Sequence, residues 1–293
     1  MIMYDIKAFD ESVLAAFQPV FKIGLLATIT PEGLPHITLT SSLRAATPKK
    51  LVFGEFCGGK SKRNLENNPK AAFLVLTGDR RIYRGHAGWS HSRAGGPEYD
   101  EYCGMPFFSG ESCFSVSRVH YLDLVDARGP EFFPARKRFF TAVLSRPSKQ
   151  RERASAGDPE KQEILSCIAR RIMNRPDAIG FMAFVKKDGF PEIVPLLQCR
   201  PSGGDGLVLF PFSSREEPEE GQTGKRVSVL CITKAMESVL LGGFFSGFRR
   251  RKLLKCGLME IDTIYNSMPP ASGRIYPPEP LEGVTQWGDF PLE

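Results

Sequence analysis

The sequence predicts a mainly β protein with a few helices, built as two tandem antiparallel sheets of sandwich or barrel type. The first observation is an internal repeat. IGLLATITPEGLPHI begins at Ile23 and IGFMAFVKKDGFPEI begins at Ile179. The offset of 156 residues holds without a gap from residue 22 to residue 77, and twelve of those 56 positions are identical. Average residue usage would supply about three. The second observation is the even spacing of short apolar runs and turn signals inside each copy, the signature of an all-β unit. The third is size: 293 residues, 42% hydrophobic and 25% charged, suit two ordered domains of about 150 residues each and exclude wholesale disorder.

The elements follow in order. Asp10 is the expected N-cap of a first helix, with Val13, Leu14 and Phe17 facing inward. Strands are predicted over 24–30 and 180–186. The turns Pro31-Glu32-Gly33 and Lys187-Asp188-Gly189 follow them, each ending in a residue tolerant of positive φ. Second strands fall at 36–43 and 192–198, third strands at 51–56 and 207–212, and fourth strands at 71–77 and 227–233. Late strands near 116–125 and 258–265 end at Gly129-Pro130 and Pro269-Pro270. The polar stretch 146–159 reads as a linker and 160–174 as a helix. The tail from Pro269 reads as extended. RGHAGWSHSRAGG, with His86, Trp89 and His91, reads as loop-like. It opens a long insertion over 88–115 that holds Tyr99, Tyr102, Phe107 and Phe108, either a lid or interface padding.

The copies diverge where chemistry would sit. Thr38, Thr40 and Ser42 share one face of the predicted second strand of copy one; copy two has Val194, Leu196 and Gln198 there. After the third strand, copy one reads Gly58-Gly59-Lys60-Ser61-Lys62-Arg63-Asn64-Leu65, whereas copy two has the acidic Ser214-Arg215-Glu216-Glu217-Pro218-Glu219-Glu220-Gly221. Ser61 is the expected N-cap of a short helix over 61–68 that Pro69 stops. Free N–H groups, the positive end of the helix dipole and flanking lysines make an anion site in copy one. Glutamates in copy two would repel phosphate. The same segment, GEFCGGKS, fits the P-loop pattern GxxxxGK[ST] letter for letter. That loop belongs in a parallel sheet with a longer return helix, which hairpin turns and Pro69 do not offer. Cys57 reads as a small core residue.

The ordered set GLLATITPEGLPHITL, LVFGEF, KSKRNLENNPKAAFLVLT and IYRGHA resembles the FMN-binding split-barrel family related to pyridoxamine 5'-phosphate oxidase. The best match spans residues 23–87, and the repeat extends a weaker one over 178–265. The resemblance implies two tandem split β-barrels forming an intrachain pseudo-dimer. Residues 1–145 would be a barrel with an intact phosphate site, 146–177 a linker and helix, and 178–293 a degenerate barrel with a Pro-rich tail. It implies FMN as cofactor, its phosphate held by Thr38, Thr40, Ser41, Ser42, Lys60, Ser61 and Lys62, and its ring edged by Arg81, Tyr83 and Arg84. One FMN per chain is expected, with copy two supplying a wall for the ring. Arg44 and Arg200 match across copies, so a role in the shared fold is the alternative for them.

The expected function is an FMN-dependent oxidoreductase acting on a small molecule or on an electron donor such as a nicotinamide nucleotide. The alternatives are a non-catalytic flavin or haem carrier or sensor, and a P-loop hydrolase. Net charge is +6 with clusters such as Arg249, Arg250, Arg251 and Lys252, but no nucleic-acid-binding signature accompanies them. Seven cysteines and four histidines form no CxxC pair or zinc spacing, so no metal site is expected. With no apolar run of membrane-spanning length and an acidic start, the expectation is a cytoplasmic protein without membrane partner, monomeric as a pseudo-dimer or homodimeric.

Overall fold

The structure, a computed structural model, describes residues 6–18, 21–56, 59–105, 116–133, 169–202, 205–212, 223–251, 254–266, 271–277 and 282–283. Cys57, Phe107, Phe108, the linker 146–159, most of the predicted helix 160–174 and the acidic segment 214–221 lie outside them.

The fold is mostly β. Seven strands form one antiparallel sheet: β1 (Ile23–Ile29), β2 (Pro35–Leu39), β3 (Arg44–Thr47), β4 (Lys50–Glu55), β5 (Lys70–Leu76), β6 (Arg81–Arg93) and β7 (Arg118–Phe132), in the order β2-β1-β5-β6-β7-β4-β3. The other sheet holds β8 (Ile179–Val185), β9 (Pro191–Pro201), β10 (Gly206–Pro211), β11 (Arg226–Ile232), β12 (Ser238–Arg251), β13 (Leu254–Asn266), β14 (Ala271–Tyr276) and β15 (Glu282–Gly283). Pairing of β10 with β13 closes β8 to β13 into a six-stranded antiparallel barrel. The described residues divide into two units. One runs to Phe133 and takes in Val185–Ile193, the hairpin tip of β8 and β9; the other holds the rest up to Gly283.

The repeat is structural. The bounds of β1, β4 and β5 recur 156 residues later as β8, β10 and β11. Gly33 and Gly189 close the two hairpins at φ 77° and 80°. Arg80 and Met236 take φ 68° and 62° in matching turns, each closed by a bond from its own N–H to the carbonyl of Thr77 or Thr233. A non-glycine residue there is uncommon, so its recurrence marks common backbone architecture. Glycine also permits the close approach of the long strand pairs. A Cβ at Gly85 would collide with the Asp126 carbonyl oxygen and lie 2.7 Å from Ala127 Cα; one at Gly243 would collide with the Glu260 carbonyl oxygen. Gly85→Ala should therefore cost about 3 kcal/mol, as backbone rather than a flexible side chain must yield. A urea midpoint within error of wild type would refute this.

Helix α1 (Glu11–Phe17) starts as predicted: the Asp10 carboxylate accepts from the Val13 N–H at 2.9 Å. Phe17 is fully buried and packs against Phe9, Phe73 and Tyr83. The core of the second unit is mainly aliphatic, built on Met182, Leu196, Leu209, Val229 and Leu241, with Phe184 and Phe245 among them.

Several elements differ from expectation. The second strand of copy one ends at Leu39, not at residue 43. A turn over 40–43 follows, closed by Leu43 N–H to the Thr40 carbonyl at 3.0 Å. In copy two β9 runs unbroken, and Gln198 pairs with Phe210. The matching pair in copy one is Ser42 and Gly54, where the Ser42 hydroxyl contacts both the Gly54 N–H and carbonyl at 3.1 Å. A short hydroxyl side chain has replaced a backbone ladder step, which lets the strand break without orphaning buried polar groups. The loop-like stretch is strand: β6 runs through His86, Trp89 and His91 to Arg93, because β7 pairs with it to its end while β5 pairs with it up to Gly88. The insertion continues as helix α3 (Pro97–Gly104). β7 passes through Gly129-Pro130 to Phe132. Part of the tail pairs as β14 and β15 instead of running free. The described end of the predicted 160–174 helix, Ala169–Met173, is a π-helical turn.

A buried charge network lies in the first unit. Arg84, 1% exposed, donates to Glu131 at 3.1 Å and to Glu192 at 3.4 Å. Arg128 donates to both Glu192 oxygens at 2.8 and 2.9 Å. His86 bridges Asp126 at 2.8 Å and Glu192 at 3.1 Å. Burial alone would lower the His86 pKa, but the Asp126 and Glu192 bonds raise it to about 9. Its stabilisation is complete below pH 6.5, the unfolded value, and is lost as pH rises through 9. His36 has the opposite sign: burial, then the Lys60 charge, pushes it down to about 4, so stability falls as pH drops from 6.5 toward 4. Lys22, lowered to about 8, adds a rising slope only above that pH. The window from pH 6.5 to 8 thus reports His86, with an expected loss of about 2 kcal/mol. His86→Gln should flatten it; a slope unchanged in that variant would refute the assignment.

Candidate functional site

The candidate site is the first turn of α2 (Lys60–Asn67), where β4 hands the chain to a helix beside β2. The helix forms because its inner face is anchored at two points. Leu65 is buried, and the Asn64 side chain donates to the Thr28 hydroxyl on β1 at 2.9 Å. It ends where Asn68 N–H bonds the Asn64 carbonyl, just ahead of Pro69.

The N-cap is Gly59, extended at φ −125° and ψ 170°, not Ser61 as the sequence suggested, and no side chain caps it. Ser61 lies one position inside the helix, and its hydroxyl meets Thr38 Oγ1 at 2.5 Å instead of folding back on its own helix. The first turn therefore presents N–H donors without a side-chain cap, Lys60 and Lys62, and no acidic residue. A helix N-terminus so dressed attracts anions through directed N–H donors and the positive dipole end together.

Of the nominated residues, the structure brings Thr38, Lys60, Ser61 and Lys62 into one place. Thr40 and Ser41 belong to the turn after β2, where the Thr40 N–H bonds the Gly24 carbonyl at 2.7 Å. Ser42 is buried on Gly54. The other three lie on β6. Arg81 pairs with Asp79 at 2.7 Å and donates to the Tyr83 hydroxyl at 3.3 Å. The Tyr83 ring is in the aromatic core against Phe17, and Arg84 is in the buried charge network.

Three neighbours escaped the sequence reading. His36 lies two residues before Thr38, buried and neutral at pH 7; its i, i+2 spacing from Thr38 was the available signal. Glu55, at the end of β4, sits 3.7 Å from Lys62 and accepts from His120 at 2.8 Å. A carboxylate closing the apolar run LVFG demanded a partner, but local sequence could not say which. His120 is 1% exposed, stacked on Phe53, and receives the Trp89 indole N–H at Nδ1, 3.2 Å away. An indole nitrogen only donates, so His120 carries its proton on Nε2 and gives that hydrogen bond to Glu55. Burial would raise the Glu55 carboxyl, but the His120 bond and the charges of Lys62 and Arg118 bring it below its ordinary value. Glu55 is thus an ionised counter-charge that holds Lys62 beside the helix start.

No family model matches the chain, and no curated protein matches it. Solved structures similar to part of it include HupZ from Group A Streptococcus, at 16% identity over 42% of this chain and 96% of that one, with a TM-score of 0.36. An FMN-binding protein from Syntrophomonas wolfei subsp. wolfei matches at 18% identity over 40% and 86%, TM-score 0.33. An F420 reductase matches at 21% identity over 40% and 94%, TM-score 0.31.

Proposed function

We propose that the first unit binds FMN, with the flavin phosphate at the start of α2, and that the protein serves flavin-dependent redox chemistry. One observation carries the reading: an uncapped helix N-terminus where two lysines and the Thr38–Ser61 hydroxyl pair converge, with no acidic residue in the turn. A phosphate dianion asks for such donors: N–H groups and hydroxyls to satisfy its oxygens, ammonium groups to balance its charge. Bound flavin would supply hydride or electron transfer. The chain's part would be to hold the phosphate, shape the surroundings of the ring and admit a donor. A nicotinamide nucleotide is the proposed electron donor.

The Glu55–Lys62 contact favours a tuned site over a merely basic one, since the carboxylate restrains one lysine until a stronger anion competes for it. The nucleotide-hydrolase reading of GEFCGGKS fits less well. β4 pairs antiparallel with both β3 and β7, and α2 has eight residues, whereas a hydrolysing P-loop sits in a parallel sheet.

The test is an absorption spectrum of the purified chain, with mass identification of what denaturation releases. About one FMN per chain is expected. A colourless protein that also refuses added FMN would overturn the reading. FMN held without oxidation of a nicotinamide nucleotide would leave a flavin carrier or sensor.

A further inference from the structure

Arg44 holds chemistry that the α2 site does not use. It opens β3 and is 4% exposed. Its Nη1 pairs with Glu101 of α3, and its guanidinium lies 4.4 Å over the Tyr102 ring. That ring is itself fixed, since its hydroxyl donates to the Ser42 carbonyl at 2.5 Å and the Val52 carbonyl at 3.3 Å. Yet Nε and Nη2 of Arg44 are buried and have no hydrogen-bond partner among the described residues. These two nitrogens form one edge of the guanidinium, with parallel N–H bonds spaced to receive two oxygens of a carboxylate or phosphate. Buried charged donors are rarely left unmatched.

Cations and carboxylates both surround this edge. Lys22, just before β1, is buried, and the Arg44 charge adds to burial in lowering its ammonium to about 8, so two cations share this region. Glu101 is the counter-charge, but its side chain is 54% exposed, so water competes for it. Glu98, on the same helix, accepts from the Tyr121 hydroxyl at 2.9 Å and is a second carboxylate within electrostatic reach of Arg44.

The geometry points to a second anion site: the Nε–Nη2 edge of Arg44, with Lys22 as the supporting cation, receives the carboxylate or phosphate group of a small-molecule ligand. This site is separate from the flavin reading and does not depend on it. Glu101 is the group the anion partly displaces, since it alone joins Arg44 to the exposed side of α3 in the described contacts.

The test uses the full chain as purified. Thermal unfolding is followed in chloride, acetate and inorganic phosphate at matched ionic strength. A rise in Tm of about 3 °C over chloride is expected in at least one of the two oxoanions. The stronger anion names the ligand group, acetate for a carboxylate and phosphate for a phosphate ester. Arg44→Lys keeps the charge and removes the paired edge, so the rise should vanish. Lys22→Gln should weaken the apparent Kd about tenfold. Glu101→Gln, at an exposed position, should tighten it about threefold, and together with Lys22→Gln keeps the test decisive if Arg44→Lys does not fold. Lys60→Ala should leave the rise intact. A rise lost in Lys60→Ala but kept in Lys22→Gln and Glu101→Gln would put the anion at α2 and overturn the proposal. So would the absence of any rise in both wild type and Glu101→Gln.

Discussion

Arg84→Met lowers the stability of the first unit by about 4 kcal/mol. The guanidinium is fully buried and donates through three nitrogens to Glu131, Glu192 and the Ile193 carbonyl. Methionine fills much of the volume but supplies no donor. Glu131, 8% exposed, would lose the guanidinium that donates twice to its Oε1. Glu192 would keep Arg128 and His86, so its loss is smaller. The cost comes mainly from stranding the Glu131 charge, not from the worth of the ion pair itself. That distinction is measurable. Removing Glu131 as well, in Arg84→Met with Glu131→Leu, should recover more than half of the loss. The probe is urea unfolding followed through Trp89 fluorescence, since Trp89 lies on β6 of the same unit. A loss below about 1 kcal/mol in the single variant would show that the network is bystander chemistry.

On the proposed flavin reading, Ser61→Asp is expected to weaken FMN binding by at least about a hundredfold while the helix remains. The two effects separate because one carboxylate meets two different demands. In the first turn of a helix an Asp is favourable, since it faces the positive end of the dipole. Against a bound phosphate it is a like charge at close range, worth several kcal/mol. It would also take up the Thr38 hydroxyl, which shares a 2.5 Å contact with Ser61, because a carboxylate only accepts and would draw that donor away from a phosphate. Circular dichroism and urea midpoints near wild type, with flavin lost from the purified protein, would meet the prediction. Full flavin occupancy in this variant would remove the phosphate from α2.

The sequence made part of this site legible. Lys60, Ser61 and Lys62 stood out against their acidic counterparts in copy two, and Thr38 stood out against Val194. That comparison needed only the repeat, because equivalent positions in two copies of one fold differ where their chemistry differs. The cap itself was misplaced by two residues. Serine is a good N-cap in isolation, but here its hydroxyl had a better partner across the sheet. Glu55, His120 and Trp89 were not legible as a group, because they sit on three strands brought together by pairing over tens of residues.

The sequence by itself determined the repeat, the strand-turn-strand period, the hairpin glycines at 33 and 189 and the Asp10 cap. The strand-turn-strand period, the hairpin glycines and the cap rest on interactions within a few residues, where side-chain chemistry and backbone preference decide the outcome. Tertiary structure alone decided the rest. It turned the polar stretch from His86 to Arg93 into strand by pairing it with β7, and up to Gly88 with β5 as well. It broke β2 at residue 40 because a serine hydroxyl could take over from the backbone. It also brought Glu192 to Arg84, across 108 residues of chain. Such pairings are set by which groups share a buried volume, and burial makes each unpaired charge costly enough to select its partner.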